Sequence, residues 1–291
     1  MRNIFADLRS AFLGENGTLT AFLFHTLHKS KGEVDSNLFF PQQPVLVEHF
    51  RRFIEYFLRA GCTFVSPEMI LAGLPQKGEY ALITFDDGYF NNTNALPLLK
   101  EYRVPAVFFI TVSNVKETKA FWWDVIYRER MRQGLEKRAI ASEMRSMNNK
   151  TGEEIDRYVI DSFGERTLKP VGDLDRPLTA SELKAFSQER YVRIGHHCID
   201  HACLTNYSSD GARRQIEGAQ KELTAMTGIS PVAISYPHGQ FSDEVIKISA
   251  DCGLKIGLTT KEGKNLVPFK DPLRLRRFPV PPDIDLKKRF P

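Results

Sequence analysis

Ala81-Leu82-Ile83-Thr84-Phe85-Asp86-Asp87-Gly88-Tyr89 decides how this 291-residue chain is read. Its first five residues are aliphatic, aromatic or β-branched, the composition of a buried strand, and two successive carboxylates end the run. Carboxylates at the end of a buried strand are costly unless they leave it for a cleft or bind something. Gly88 permits the sharp exit a cleft requires. An isolated Asp-Asp-Gly is also an ordinary surface turn, so the residues around it must decide.

Outward from this strand, short apolar runs alternate with amphipathic stretches. Thr18 to Phe24 reads as a strand, and Pro44 to Ala60 as a helix, with Leu46, Phe50, Phe53, Ile54 and Phe57 at helical spacing and Gly61 behind it. Thr63 to Val65 is a short strand, and Ser66-Pro67-Glu68 an N-cap with proline at the first helical position. A helix over Leu96 to Tyr102 and a strand over Ala106 to Thr111 follow. Phe121 to about Asp173 breaks the rhythm with charged, helix-favouring sequence and reads as a helical insertion, bounded at about 115 and 178. The alternation resumes at Thr179-Ala180-Ser181-Glu182, which has capping-box spacing. It continues through strand Tyr191 to Ile194, helix Gly211 to Thr227 with Gly228 behind it, strand Val232 to Ser235, and a helix and strand near Val245 and Ile256. Such β-then-α order predicts an α/β fold with a parallel sheet, and the length favours a barrel-like arrangement within one domain over 1–291.

A net charge of +4, with basic residues scattered apart from Arg274 to Arg277 and Lys287 to Arg289, does not indicate nucleic-acid binding. Met1 to Gly17 lacks the apolar core of a signal peptide and no run reaches membrane-spanning length, so a cytoplasmic location is expected. Cys62, Cys198, Cys203 and Cys252 form no Cys-x-x-Cys and read as reduced thiols.

His196, His197 and His201 fall within six residues, directly after the strand ending at Ile194. His197 and His201, four apart, can face one another from a helical turn or a tight loop, which suits two imidazole ligands on one metal and equally describes a surface histidine pair. Ligands in parallel α/β folds collect beyond the carboxyl ends of strands. Asp86-Asp87, the histidine cluster and Tyr236-Pro237-His238-Gly239 all stand there. One carboxylate and two imidazoles leave positions open for water and a substrate carbonyl, and the second carboxylate is free to accept a proton. The reaction class that follows is metal-assisted hydrolysis of an amide or ester.

Thr84-Phe85-Asp86-Asp87-Gly88-Tyr89, Ile194-Gly195-His196-His197-Cys198-Ile199-Asp200-His201 and Ser235-Tyr236-Pro237-His238-Gly239 resemble, in order and spacing, three motifs of the polysaccharide deacetylases. The resemblance covers roughly Thr18 to Val280. It implies a distorted (β/α) barrel, TIM-like with fewer than eight regular strands. It also implies a divalent metal, commonly zinc, and a hydrolase that removes N-acetyl groups from an amino sugar, a polysaccharide or a surface-sugar precursor. Carried over by position, Asp86 is the general base, and Asp87, His197 and His201 are the metal ligands. Tyr236, Pro237, His238 and Gly239 border the substrate, with the His238 backbone amide at the oxyanion. Leu23-Phe24-His25 resembles a Tyr-His dipeptide of some members, and Phe121-Trp122-Trp123-Asp124 an aromatic motif of a subgroup linked to surface-sugar biosynthesis.

Three departures from the family pattern stand out. Cys198 replaces Ser or Thr, and Ser235 stands where many members have Arg, a place that Arg277 could fill from the C-terminal strand; Arg277 is also expected to bind substrate, since the Arg274 to Arg277 patch would suit an anionic sugar nucleotide or lipid-linked sugar. No late Leu-x-His supplies the general acid, so His25 is the expected donor, ahead of His196 and His238. Trp123 is expected either as a sugar-stacking surface or as packing between insertion and barrel. Two other readings stay open: an amide hydrolase of deformylase or cyclic-amide type, and a degenerate member that binds sugar without catalysis.

Overall fold

The computed structural model describes residues 17–282 and 284–290, so the reading of the stretch before Gly17 lies outside the described residues. Eleven strands are present among them: β1 Thr18–Phe24, β2 Leu27–His28, β3 Val45–Leu46, β4 Thr63–Phe64, β5 Glu79–Phe85, β6 Ala106–Ile110, β7 Val192–His196, β8 Ala233–Ser235, β9 Ile256–Leu258, β10 Asn265–Leu266 and β11 Arg277–Pro279. Nine form one sheet whose main path, β10-β1-β5-β6-β7-β8-β9, has seven strands. All its pairings among the described residues are parallel except β1 with β10.

The two edges are joined by the C-terminal segment. Leu275 bridges Leu258 of β9, and two residues later β11 pairs with Ala21–Leu23 of β1. The sheet therefore curls into the distorted barrel that the resemblance implied, with fewer than eight regular strands.

Strand periodicity sorts the barrel into two packing layers. Leu19 and Ala21, Leu82, Val107 and Phe109, Ala233, and Ile256 and Leu258 share the interior cluster. Their neighbours in sequence, Phe22 and Phe24, Ala81, Ile83 and Phe85, and Ala106, Phe108 and Ile110, pack outward with residues of helices Val47–Arg59, Leu96–Tyr102, Ala180–Ser187 and Ser209–Thr227. A strand buried on both faces reads as a continuous apolar run, as Ala106-Val107-Phe108-Phe109-Ile110 does. Gly195 is required where β7 passes Phe109, because a Cβ there would overlap the phenyl ring.

Helix signals hold closely. Ser66 caps Pro67–Ala72, Thr179 and Glu182 form a capping box, and Gly228 closes Ser209–Thr227 at φ 76°. Most boundaries move by one or two residues, and two of the shifts have a visible cause. Val45–Leu46 pairs with Leu27–His28 as a second small sheet, which delays the first long helix to Val47. β7 runs on to His196, beyond the expected Ile194, because His196 pairs with both Ile110 and Ile234.

Between β6 and β7 lie helices Val112–Glu117, Trp122–Arg132, Lys137–Ser146 and Gly152–Phe163, the last three packed around an apolar cluster that includes Phe121, Ile126, Ile140, Ile155 and Val159. No described helix is long and apolar enough to cross a membrane.

Candidate functional site

Period two also decides which polar residues enter the barrel mouth. Thr84 and Asp86 continue the inward positions of β5, Gly195 and His197 those of β7, and Ser235 that of β8. His196 falls on the other parity; it is buried, ends β7, and does not line the cleft. The alternation in the sequence held this answer, although the reading of His196 as a possible acid did not use it.

Asp87 leaves the strand at φ 76°, and its carbonyl accepts a hydrogen bond from Thr111 N (3.1 Å). Its Oδ1 lies 3.2 Å from His201 Nε2 and 3.6 Å from His197 Nε2. One ligating atom from each residue falls within 4.8 Å of the others, and all three residues are buried. His197 Nδ1 donates to the Ser235 carbonyl at 2.6 Å, which fixes the tautomer and leaves the Nε2 lone pair facing Asp87. His201 reaches the same point from a tight loop rather than a helical turn, at φ 62°.

This set fits a divalent cation. Tetrahedral ligands about 2.0–2.1 Å from zinc stand roughly 3.3 Å apart, close to both oxygen–nitrogen separations. Burial pushes His197 down to about 4 and His201 down to about 3, keeping both imidazoles in the neutral form that ligates. Burial also raises the Asp87 carboxyl, a rise that the nearby His25 and His197 oppose. No hydrogen bond from the described residues reaches Asp87 Oδ1. A buried carboxylate oxygen without a donor, facing two neutral imidazoles, is what a cation would satisfy.

Asp86 is held differently. Arg277, fully buried on β11, donates Nη1 to Asp86 Oδ1 and Nη2 to Oδ2, both at 2.8 Å. Its remaining hydrogen bonds reach Thr84 Oγ1 (3.0 Å), Ser235 Oγ (2.8 Å) and the Thr259 carbonyl (2.9 Å). Five hydrogen bonds use all five guanidinium N–H groups. Ser235 Oγ in turn donates to Asp86 Oδ2 at 2.9 Å. Burial opposes ionisation of Asp86, but the Arg277 charge outweighs it, helped by His197, and holds the carboxyl well below its ordinary range. Arg277 thus lies beneath Asp86 and does not line the cleft. Ser235 is part of the same network, a role its reading as a replaced Arg did not foresee.

The cleft over these residues has a volume of about 550 Å³. His25, Trp123, Tyr236, His238 and Gly239 line it; Pro237 is buried within the turn and does not. In that turn Tyr236 N and Gly239 N donate to backbone carbonyls, whereas His238 N, at φ 55°, has no acceptor among the described residues. Burial lowers the His238 imidazole to about 3, with His201 adding to the effect. Trp123 is both cleft wall and core. Its ring lies 4.6 Å from that of His201, while its Nε1 donates to Tyr89 Oη at 2.7 Å. Tyr89 donates to Asp124 Oδ2 at 2.7 Å, and Asp124 Oδ1 accepts from Phe40 N at 2.7 Å. Gln42, Gln43 and Arg145 also line the cleft. Scattered in polar loops and a charged helix, they carried no signal in the sequence.

A curled parallel sheet with its carboxylates and imidazoles gathered at the strand ends defines an α/β barrel protein with a polar site at the barrel mouth. The chain belongs to the polysaccharide deacetylase family, whose model matches residues 73–257. YxkH of Bacillus subtilis (strain 168), a protein whose name places it with the polysaccharide deacetylases, is 23% identical over 183 residues. That match covers 62% of this chain and 45% of YxkH, so the chain spans less than half the length of this relative. Among solved structures, the Streptococcus pyogenes deacetylase PplD in complex with acetate has a TM-score of 0.65 at 18% identity, covering 94% of this chain and 97% of that one. A de-N-acetylase from Aggregatibacter actinomycetemcomitans gives 0.62 at 16% identity, over 94% and 98% of the two chains. IcaB from Ammonifex degensii gives 0.61 at 16% identity, over 91% and 93%. These likenesses establish the fold.

Proposed function

We propose that this protein removes the N-acetyl group from an amino sugar, within a polysaccharide or a surface-sugar precursor, by metal-assisted hydrolysis. The observation that carries the reading is the division of two adjacent carboxylates. Asp87 meets both neutral imidazoles, whereas Asp86, whose Oδ2 lies 3.8 Å from His197 Nε2 alone, is clamped as an anion by Arg277. A protein that only bound sugar would need neither arrangement. We take 1–291 as one catalytic domain, with 115–178 inserted.

Asp87, His197 and His201 would hold the cation, with zinc matching two imidazoles and one carboxylate. When bound, it supplies polarisation of the acetamide carbonyl and greater acidity of the attacking water. Asp86 accepts the proton of that water, and Arg277 and Ser235 keep its carboxylate ionised and aimed. The unspent His238 N–H is the donor suited to the developing oxyanion, at a turn bounded by Tyr236, Pro237 and Gly239. His25 lines the cleft with Nδ1 unpartnered, while its carbonyl accepts from Asn92 Nδ2 at 2.7 Å; its imidazole delivers a proton to the leaving amine. Trp123 offers an aromatic face to the sugar ring.

Metal analysis combined with acetate release from N-acetylglucosamine oligomers and sugar nucleotides tests the reading. Asp86→Asn should retain metal and lose roughly 10²–10⁴-fold in turnover. His25→Ala should depress turnover with metal content intact, and unchanged turnover would remove His25 from the mechanism. A wild-type chain that takes up no metal on supplementation and hydrolyses no acyl sugar would favour a sugar-binding role without catalysis.

A further inference from the structure

The loop that brings His201 to Asp87 holds two non-glycine residues in the left-handed region, Cys198 at φ 64° and His201 at φ 62°. Such a backbone persists only where its surroundings over-determine it. Cys198 supplies no hydroxyl to the loop; its side chain is fully buried in an apolar cluster with Leu204, Ala212 and Ile216.

The polar bracing comes instead from Asp200. Its Oδ1 accepts from Ala202 N (3.1 Å), and its Oδ2 from Tyr207 Oη (2.6 Å) and Gln215 Nε2 (2.7 Å). Gln215 closes a second point, because its Oε1 accepts from Ile199 N at 3.1 Å. One side chain on helix Ser209–Thr227 thus grips the loop by an acceptor and a donor on either side of the Ile199–Asp200 peptide. Tyr207 Oη also accepts from Gly152 N (2.8 Å), at the start of helix Gly152–Phe163. That helix abuts the carboxylate so closely that a Cβ at Gly152 would overlap it. A helix N-terminus beside an aspartate is electrostatically favourable, which adds to the hold.

We infer that Asp200, Gln215 and Tyr207 are positioning residues for the cation site: they fix the left-handed turn at His201 and with it the Nε2 that faces Asp87. The inference rests on the metal reading proposed above. It also assigns a task to the helical insertion, whose Gly152 end reaches the histidine loop through Tyr207.

The test is zinc affinity of the chelator-stripped full chain, with the visible absorption of the cobalt-loaded protein as a geometric readout. Gln215→Leu removes both contacts at once, and Tyr207→Phe removes the link to Gly152 and one donor to Asp200. Each should weaken zinc binding about 10- to 100-fold, the usual effect of losing an outer partner of a metal ligand, and alter the cobalt spectrum. Gln220→Leu is the control: Gln220 lies on the same helix and donates to the Pro231 carbonyl at 3.1 Å, away from the loop. Unchanged affinity and spectrum in both variants, with the wild type binding zinc, would overturn the bracket and leave the metal reading standing. An equal loss in Gln220→Leu would also overturn it, since general loosening of the helix would then suffice. Absence of zinc and cobalt binding by the wild type would overturn the metal reading and this inference together. If Gln215→Leu does not fold, Tyr207→Phe decides.

Discussion

Arg277→Met is the substitution with the largest consequence worked from this structure. Arg277 has no exposed surface and Asp86 almost none, so truncating the guanidinium leaves a buried carboxylate with only Ser235 Oγ as a side-chain donor. Removing one partner of a buried ion pair costs roughly 3–5 kcal/mol, because the other charge stays uncompensated. On a chain of 291 residues that loss lowers the thermal midpoint by roughly 5–8 °C. The same free energy also acts on the proton. Without the guanidinium, burial acts unopposed by that charge, and the Asp86 carboxyl should move up from well below its ordinary range. The sign follows from linkage. A depressed carboxyl contributes stability above its unfolded pKa of about 3.9 and loses it as pH falls through the folded value. In the wild type the Asp86 contribution is therefore full above about pH 4 and falls away steadily as the solution is made more acid, whereas in Arg277→Met it is absent. Calorimetry across pH on the wild type, Arg277→Met, Asp86→Asn and the double variant measures the effect without any substrate. The double variant should regain stability over Arg277→Met, since the unpaired charge is gone. If Arg277→Met unfolds within about 1 kcal/mol of the wild type, or if Asp86→Asn gives no rescue, the clamp does not hold Asp86 as argued.

Three further outcomes follow from the packing. Tyr89→Phe strips a donor from Asp124 Oδ2 and an acceptor from Trp123 Nε1, both within the buried network. Urea titration should show a loss of about 1–3 kcal/mol for each group left unpaired, and a loss below 0.5 kcal/mol would show that the network carries no stability. Burial lowers His28 to about 4, against a weaker upward pull from Glu33, while its ring stacks on Phe39 at 4.6 Å. The folded-state value lies below the unfolded one of about 6.5, so stability is full above pH 6.5 and is lost as pH falls towards 4, by up to about 3 kcal/mol. His28→Phe should remove that share of the acid slope, and an unchanged slope would count against a buried neutral imidazole. Gly195→Ala should cost roughly 1–3 kcal/mol by thermal unfolding through overlap of the new methyl with Phe109; tolerance of the change would mean that β7 has slack there.

Most of the barrel was legible because its strands are short, apolar and separated by capped helices. Ser66, Thr179 and Gly228 each carry a local rule that tertiary packing did not override. The strand-end position of Asp86, Asp87, His197 and His201 was equally readable, since parallel folds gather polar groups there. The joining of the two sheet edges was not. β11 is only Arg277–Pro279, its neighbour Leu275 makes one isolated bridge, and no period can be read from three residues. The cleft walls were hidden for a different reason. Gln42, Gln43 and Arg145 belong to a loop and an exposed helix face, where neither spacing nor burial restricts residue type. Gln215 was masked by its place on an otherwise ordinary amphipathic helix.

The closing segment also explains how this chain accommodates Ser235. What Asp86 requires is a cation and a hydroxyl on its inward side, and the curled sheet offers that side to more than one strand. β8 ends on Ser235 and β11 begins on Arg277, and both meet Asp86 from β5, although 42 residues separate them in sequence. An arginine at position 235 would bring a second guanidinium into a space where Arg277 already spends every N–H group, and two buried like charges would repel. Moving the cation to β11 leaves room at 235 for a small side chain that donates to Asp86, while the Ser235 carbonyl orients His197. Asp86 and the His197 imidazole are thereby coupled through a single residue of β8. A bulky replacement such as Ser235→Leu should therefore disturb both Asp86 and His197. The expected readouts are a shifted pH dependence of unfolding, as in Arg277→Met, together with weakened zinc binding by the stripped chain. A change in only one of the two would separate Asp86 from His197 and refute the coupling.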